Sequence, residues 1–303
     1  MSAAQPDIRA VLDKIGAIVL GKERQIRLCL SCLLARGHLL IEDIPGVGKT
    51  TLAHTLAKSL ALSFQRIQFT SDLLPADVIG VSIFERDSGQ FRFQRGPIFA
   101  QLVLADEINR APPKAQSALL EAMEEQQITI DANTFELPDP FFVVATQNPQ
   151  DQAGTFPLPE SQLDRFLMRV HLGFPSEEVE RGLLSGVDRR DLLQTMLPGM
   201  DAARLISLQH GVQAVHVSPA LLDYVQALVA YTRRPNGFKQ GLSPRAAIGL
   251  LRAARAWAML DGRDAVLPDD VRAVLDAVVE HRIGPRQDGT RASTLLLEAV
   301  AIP

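Results

Sequence analysis

The chain has 303 residues, 47% of them hydrophobic and 22% charged, with a formal net charge of −4 at pH 7. That length allows about two domains with a substantial core, and the mild acidity gives no global reason to expect a nucleic-acid binder. No apolar run approaches the roughly 20 residues that span a bilayer, and the start Met1-Ser2-Ala3-Ala4-Gln5-Pro6 lacks signal-peptide character, so a cytoplasmic protein is expected.

Asp7 is placed to cap a first helix, with Ile8, Val11, Leu12 and Ile15 at helical spacing behind it. A second helix over 23–35 carries both cysteines, Cys29 and Cys32, and Gly37 follows as its expected C′ glycine. The C-x-x-C spacing serves redox and metal chemistry elsewhere. Here the surroundings are apolar and no second pair completes a zinc site, so the thiols are expected to pack as small hydrophobes. The six histidines are scattered without ligand spacing.

The apolar run His38-Leu39-Leu40-Ile41 leads into Asp43-Ile44-Pro45-Gly46-Val47-Gly48-Lys49-Thr50, and a helical stretch beginning at Thr51 comes next. Strand, Gly-rich turn and helix form the order that a phosphate-binding loop requires. Inward-pointing backbone N–H groups and the helix N-terminus favour an anion there. Lys49 would reach the β/γ-phosphates, and the Thr50 hydroxyl would hold Mg²⁺. Asp43 stands where the usual motif has its first glycine, while Gly46 and Gly48 are in place.

Further along, 64–69 alternates as a second strand, and 70–98 reads as an insertion with a weak hairpin around 81–95. The run Leu102-Val103-Leu104-Ala105 has the continuous apolar character of a buried parallel strand. Asp106-Glu107 closes it. An acid at that point holds Mg²⁺ in P-loop enzymes, and a second acid beside it can orient and deprotonate water. A helix over 113–126, a hairpin over 128–137 with residues 131–134 between its strands, and a buried strand over 141–145 come next. Strands alternating with helices argue for a parallel α/β sheet covered on both faces. Beyond Phe174-Pro175 the composition turns to Ala, Leu and Arg in long helical stretches, so a boundary is expected near 175 between domains 1–175 and 176–303.

Three segments resemble the MoxR family of AAA+ ATPases: 66–80 (from Arg66-Ile67-Gln68-Phe69-Thr70), 102–116 (Leu102-Val103-Leu104-Ala105-Asp106-Glu107-Ile108-Asn109-Arg110 onward) and 158–166 (Leu158-Pro159-Glu160-Ser161-Gln162-Leu163-Asp164-Arg165-Phe166). The matching motifs run from about 15 to 285. The resemblance implies a P-loop AAA+ core with a parallel five-stranded sheet in the order 5-1-4-3-2, then a smaller all-α lid. It makes Asp43 a familiar occupant of its position and places Pro45, Val47 and Thr51 with the loop in nucleotide binding. It also implies that Asn148 is sensor 1 and that Arg165 is a finger reaching a neighbour's γ-phosphate. Arg245 matches sensor 2, acting on its own or a neighbouring nucleotide. The Ile18-Val19-Leu20-Gly21-Lys22 segment would flank the adenine through Val19 and Gly21.

The resemblance further implies an ATP- and Mg²⁺-dependent, ring-forming chaperone, a hexamer by analogy, with the hairpins near 81–95 and 128–137 contacting clients. Its implied partners are a von Willebrand factor A domain protein and a client complex, often a metalloenzyme. A magnesium-chelatase-like ATPase subunit and a nucleotide-gated scaffold with little hydrolysis remain as alternatives. No Asn-Lys-x-Asp motif points to a GTPase, and no GAFTGA-like loop points to an enhancer-binding activator.

Overall fold

The computed structural model describes residues 5–302 apart from 88, 150–153, 187, 236–237, 239 and 285–288. Residues 1–4, part of the start weighed for signal-peptide character, lie outside the described residues. Helices α1 (Gln5–Ile18) and α2 (Glu23–Leu34) precede strand β1 (His38–Glu42), and α3 (Lys49–Ser59) and β2 (Phe64–Gln68) come after it. A short α4 (Pro75–Ile79) leads into the hairpin β3 (Gly80–Glu85) and β4 (Gln90–Arg95). Then come β5 (Leu102–Asp106), α5 (Pro113–Glu125), the hairpin β6 (Gln127–Ile130) and β7 (Asn133–Glu136), β8 (Phe142–Gln147), α6 (Glu160–Leu163) and β9 (Phe166–Val170). Seven helices complete the described chain: α7 (Glu177–Ser185), α8 (Arg189–Thr195), α9 (Ala202–Ala214), α10 (Pro219–Thr232), α11 (Pro244–Leu260), α12 (Pro268–Ile283) and α13 (Ala292–Ala299).

The main sheet is wholly parallel in the order β2-β5-β8-β1-β9. Numbering only its five strands along the chain, and reading from the β9 edge, gives 5-1-4-3-2. Its central strands are covered on both faces, which is why β1, β5 and β8 read as unbroken apolar runs. Successive side chains take opposite faces. Leu39, Ile41, Leu102, Leu104, Phe142 and Val144 join α1, α2, α3 and the later helices in one apolar cluster. Leu40, Val103, Ala105, Val143 and Ala145 meet α4, α5 and the β6–β7 hairpin in a second. Edge strand β2 alternates instead, burying Ile67 while Arg66 and Gln68 stay accessible.

Three local expectations change. Asp7 lies inside the first turn of α1 rather than capping it, and its carboxylate accepts from Arg204 Nε at 2.7 Å. A carboxylate still favours that end of the helix through the dipole. The left-handed residue after α2 is Arg36 (φ 55) rather than Gly37. Arg36 N–H donates to Leu33 O (3.0 Å) and Gly37 N–H to Cys32 O (2.9 Å), a Schellman closure. Gly37 answers a different demand: a Cβ there would lie 2.3 Å from Leu167 Cδ2, so only glycine lets this turn pass over β9. The β6–β7 turn is two residues, not four, with Asp131 (φ 49) and Ala132 (φ 63) both left-handed, the twist a tight hairpin needs.

Cys29 and Cys32 are free and fully enclosed in the first cluster, and burial pushes the Cys29 thiol up to about 12 and raises that of Cys32 as well. Both sit in apolar surroundings, where cysteines pack as small hydrophobes. No described helix is long and apolar enough to cross a membrane.

Candidate active site

The C-terminal ends of adjacent strands β1, β8 and β5 converge, and the motif residues gather there. Gly46 (φ 84) and Gly48 (φ 96) carry the turn between β1 and α3, and a Cβ at either would meet nothing within 4 Å. These positions demand glycine for conformation and leave the loop open to close approach of a ligand. Lys49 and Thr50 open α3, so the loop's N–H groups and the helix N-terminus present partial positive charge to the same place. Pro45 and Thr51 flank that turn, and Val47 packs against the first apolar cluster.

Lys49 Nζ donates to Asp43 O at 2.5 Å and to Gln147 O at 3.5 Å, spanning the ends of β1 and β8. Burial lowers its pKa, while the carboxylates of Asp43, Asp106 and Glu107 pull it back up. Asp43 itself turns to the segment after β9. Its Oδ2 accepts from Leu172 N–H (2.7 Å) and Gly173 N–H (2.6 Å), and its Oδ1 from Ile44 N–H (2.9 Å).

Asp106 ends β5 almost wholly buried. Its Oδ1 accepts from Thr146 Oγ1 at 2.5 Å, and its Oδ2 from Arg66 Nη2 at 2.6 Å and Nε at 3.0 Å. Glu107 is next, in a left-handed conformation (φ 56) that costs on the order of 1–3 kcal/mol for a residue with a side chain. Its N–H donates to the same Thr146 Oγ1 at 2.9 Å, fixing the turn. Its Oε2 accepts from Gln68 Nε2 and Arg110 Nη1, both at 3.0 Å. Thr146 therefore sets both acids at once. Asn148 lies just past β8, half-buried, at the end of the strand between β1 and β5.

The motifs do not single out Thr146, Arg66 or Gln68 as site residues. Their one signal in the sequence is polarity: Thr146 interrupts the apolar run of β8 at its ligand-facing end, and Arg66 and Gln68 share one face of β2. Among the described residues no group of three His, Cys, Asp or Glu side chains is placed to hold a metal. The hard oxygens of Asp106 and Thr50 suit Mg²⁺ only if phosphates and water complete its shell, as this cation prefers.

Arg165 and Arg245 lie at the opposite, N-terminal end of the strands. Arg165 immediately precedes β9, whose first residue pairs with His38 at the start of β1. Five residues of strand, roughly 16 Å at 3.3 Å per residue, separate that end from the phosphate loop. Arg165 Nη2 pairs with Glu124 Oε2 at 3.0 Å, and Arg245 pairs with the other oxygen of the same carboxylate. Asp164 is not the partner of Arg165. It is held by Arg282 Nε (2.7 Å) and by Ser243 Oγ (3.1 Å), which also caps α11 by accepting from Ala246 N–H. The two arginines line a cavity of about 490 Å³ that Arg36, Arg252 and Arg282 also border. Glu124, the residue joining them, carries no motif signal.

Val19 and Gly21 lie at the turn between α1 and α2. Lys22 Nζ donates to Phe174 O at 2.8 Å, so this turn and the phosphate loop grip the same short segment after β9.

Residues 38–168 match the model of the ATPase family associated with various cellular activities (AAA), and 230–299 match the AAA lid domain. The chain is 42% identical to chaperone MoxR1 of Mycobacterium tuberculosis, over 91% of this chain and 74% of that one. It belongs to the MoxR family of AAA+ ATPases. Protein MoxR of Paracoccus denitrificans is 37% identical over 89% of this MoxR-family chain and 86% of its own length. The uncharacterized protein YeaC of Bacillus subtilis is 44% identical over 99% and 98%. A crystal structure described as a candidate ATPase from Cytophaga hutchinsonii superposes with a TM-score of 0.90 at 38% identity, covering 99% of this chain and 96% of that one.

Proposed function

We propose that this MoxR-family chain is an ATP hydrolase that assembles into a ring, a hexamer by family analogy, and remodels protein complexes as a chaperone. The observation that carries the reading is the convergence of Lys49, Asp106, Glu107 and Thr146 at the C-terminal ends of the strands, with the glycine loop open beside them. In this reading residues 1–175 form the ATPase core and 176–303 the lid. Gly46, Gly48 and the first turn of α3 cradle the phosphates, and Lys49 leaves the Asp43 carbonyl for the β/γ-phosphates. Thr50 and Asp106 would hold Mg²⁺, whose charge would offset that of the phosphates. Glu107 orients the attacking water and takes its proton, Asn148 fixes that water or the γ-phosphate, and Val19 and Gly21 flank the adenine.

Arg165 and Arg245 serve a neighbour's nucleotide. Their common hold on Glu124, at the end remote from the loop, supports action in trans for both. A guanidinium offsets charge on the transferring phosphoryl group only once a second subunit docks, so an isolated subunit hydrolyses slowly. The family resemblance of the motifs further suggests a von Willebrand factor A domain protein as partner and an assembling metalloenzyme complex as client. Phosphate release from the purified ring tests the activity. Glu107→Gln is expected to retain a fluorescent ATP analogue while losing turnover by roughly 10²–10⁴-fold, the span of general-base catalysis. Unchanged turnover would remove Glu107 from the mechanism.

A further inference from the structure

Asp43 takes the place of a glycine in the phosphate loop, and its carboxylate finds its partners elsewhere. Two consecutive amides, of Leu172 and Gly173, converge on Oδ2 at 2.7 and 2.6 Å. Converging backbone N–H groups are how a chain holds an anion, and hydrogen bonds to a charged acceptor are the stronger kind. Residues 171–176 connect β9 to α7, the first helix of the helical half. On the loop side, Lys49 Nζ rests on the carbonyl of the same Asp43 at 2.5 Å. Beyond Gly173, the carbonyl of Phe174 takes the Lys22 ammonium at 2.8 Å. One run of bonds thus leads from Lys49 through Asp43 to residues 172–174 and on to the α1–α2 turn.

We infer that Asp43 is a positioning residue that couples the phosphate loop to the connection leaving β9, so that nucleotide state is passed to the helical half through residues 172–173. The inference rests on the reading of the loop as a nucleotide site. When Lys49 turns from the Asp43 carbonyl to a phosphate, the backbone at Asp43 loses its charged donor, and the carboxylate of the same residue shifts its hold on the two amides. Glycine at this position would keep the cradle and lose the tie.

The test is amide hydrogen exchange on the full chain, bare and with ADP or a non-hydrolysable ATP analogue, in the wild type, Asp43→Gly and Asp43→Asn. In the wild type the Leu172 and Gly173 amides are protected, and their exchange differs between the two nucleotides. In Asp43→Gly they exchange roughly tenfold faster or more, the factor for losing a hydrogen bond to a charged group, and the nucleotide dependence disappears. Asp43→Asn is intermediate and decides the matter if the glycine variant does not fold. Turnover falls by a larger factor than KM for ATP changes. Exchange in Asp43→Gly that is as slow, or as nucleotide-dependent, as in the wild type overturns the coupling alone. An analogue that fails to bind the wild type overturns the nucleotide site itself, and the coupling with it.

Discussion

His38 shows how a polar side chain is used structurally at the start of β1. Its Nδ1 accepts from Val143 N–H at 3.0 Å and its Nε2 donates to Met123 O at 3.2 Å, which fixes a neutral tautomer. Burial is the main cause that lowers its pKa to about 4 from the ordinary value of 6.5. The unfolded chain therefore takes up this proton below about pH 6.5 while the fold refuses it until about pH 4, so acidification through that window favours unfolding. A shift of this size corresponds to about 3 kcal/mol, and His281, also buried with its pKa lowered, adds in the same direction. Thermal melts should show stability falling steadily from pH 6.5 to pH 4. His38→Gln, which places a polar group near the same site without titrating, should lose less across the same window. An equal loss in that variant would assign the acid sensitivity elsewhere.

At the scale of elements, glycine at 37 is a requirement of packing. Gly37→Ala would drive a methyl to 2.3–2.4 Å from Leu167 Cδ2 and Cβ, forcing β9 away from β1. The expected cost is ~1–3 kcal/mol, the range for overpacking a filled core, read as a lower melting temperature. Melting unchanged from the wild type would show that Leu167 yields freely. The sequence displays the strands as apolar runs and Lys49, Asp106 and Glu107 as local motifs, because each signal lies within a few consecutive residues. Gly37 is visible there as a helix end but its reason is not, since Leu167 is brought to it only by the pairing of β9 with β1. The same holds for Thr146, Arg66 and Gln68, which meet Asp106 and Glu107 across strand neighbours 39 or 40 residues apart in the chain. Glu124 is silent in the sequence because both its arginines lie on other elements, one of them 121 residues away.

For the whole molecule, the placing of the phosphate loop and Arg165 at opposite ends of neighbouring strands makes a prediction about mixtures in the proposed ring. Rings of Glu107→Gln subunits alone, or of Arg165→Ala subunits alone, should be nearly inactive. In mixed rings an Arg165→Ala subunit keeps its own Glu107 and can borrow Arg165 from a Glu107→Gln neighbour, so activity should return above that of either parent. Steady-state phosphate release across mixing ratios measures this, and a flat response would place Arg165 outside the neighbour's site.

The first apolar cluster runs without a break from β1, β5 and β8 through α1, α2 and α3 into α9, α10, α11, α12 and α13. The face of α2 and β9 that the later helices cover is therefore as oily as the middle of the fold, and the two halves are expected to melt in one transition rather than one after the other. Cutting the chain near residue 175 would bare that face to water and yield a sticky fragment instead of a free-standing ATPase. A working motion of the helical half that keeps this interior filled is a small slide of packed helices.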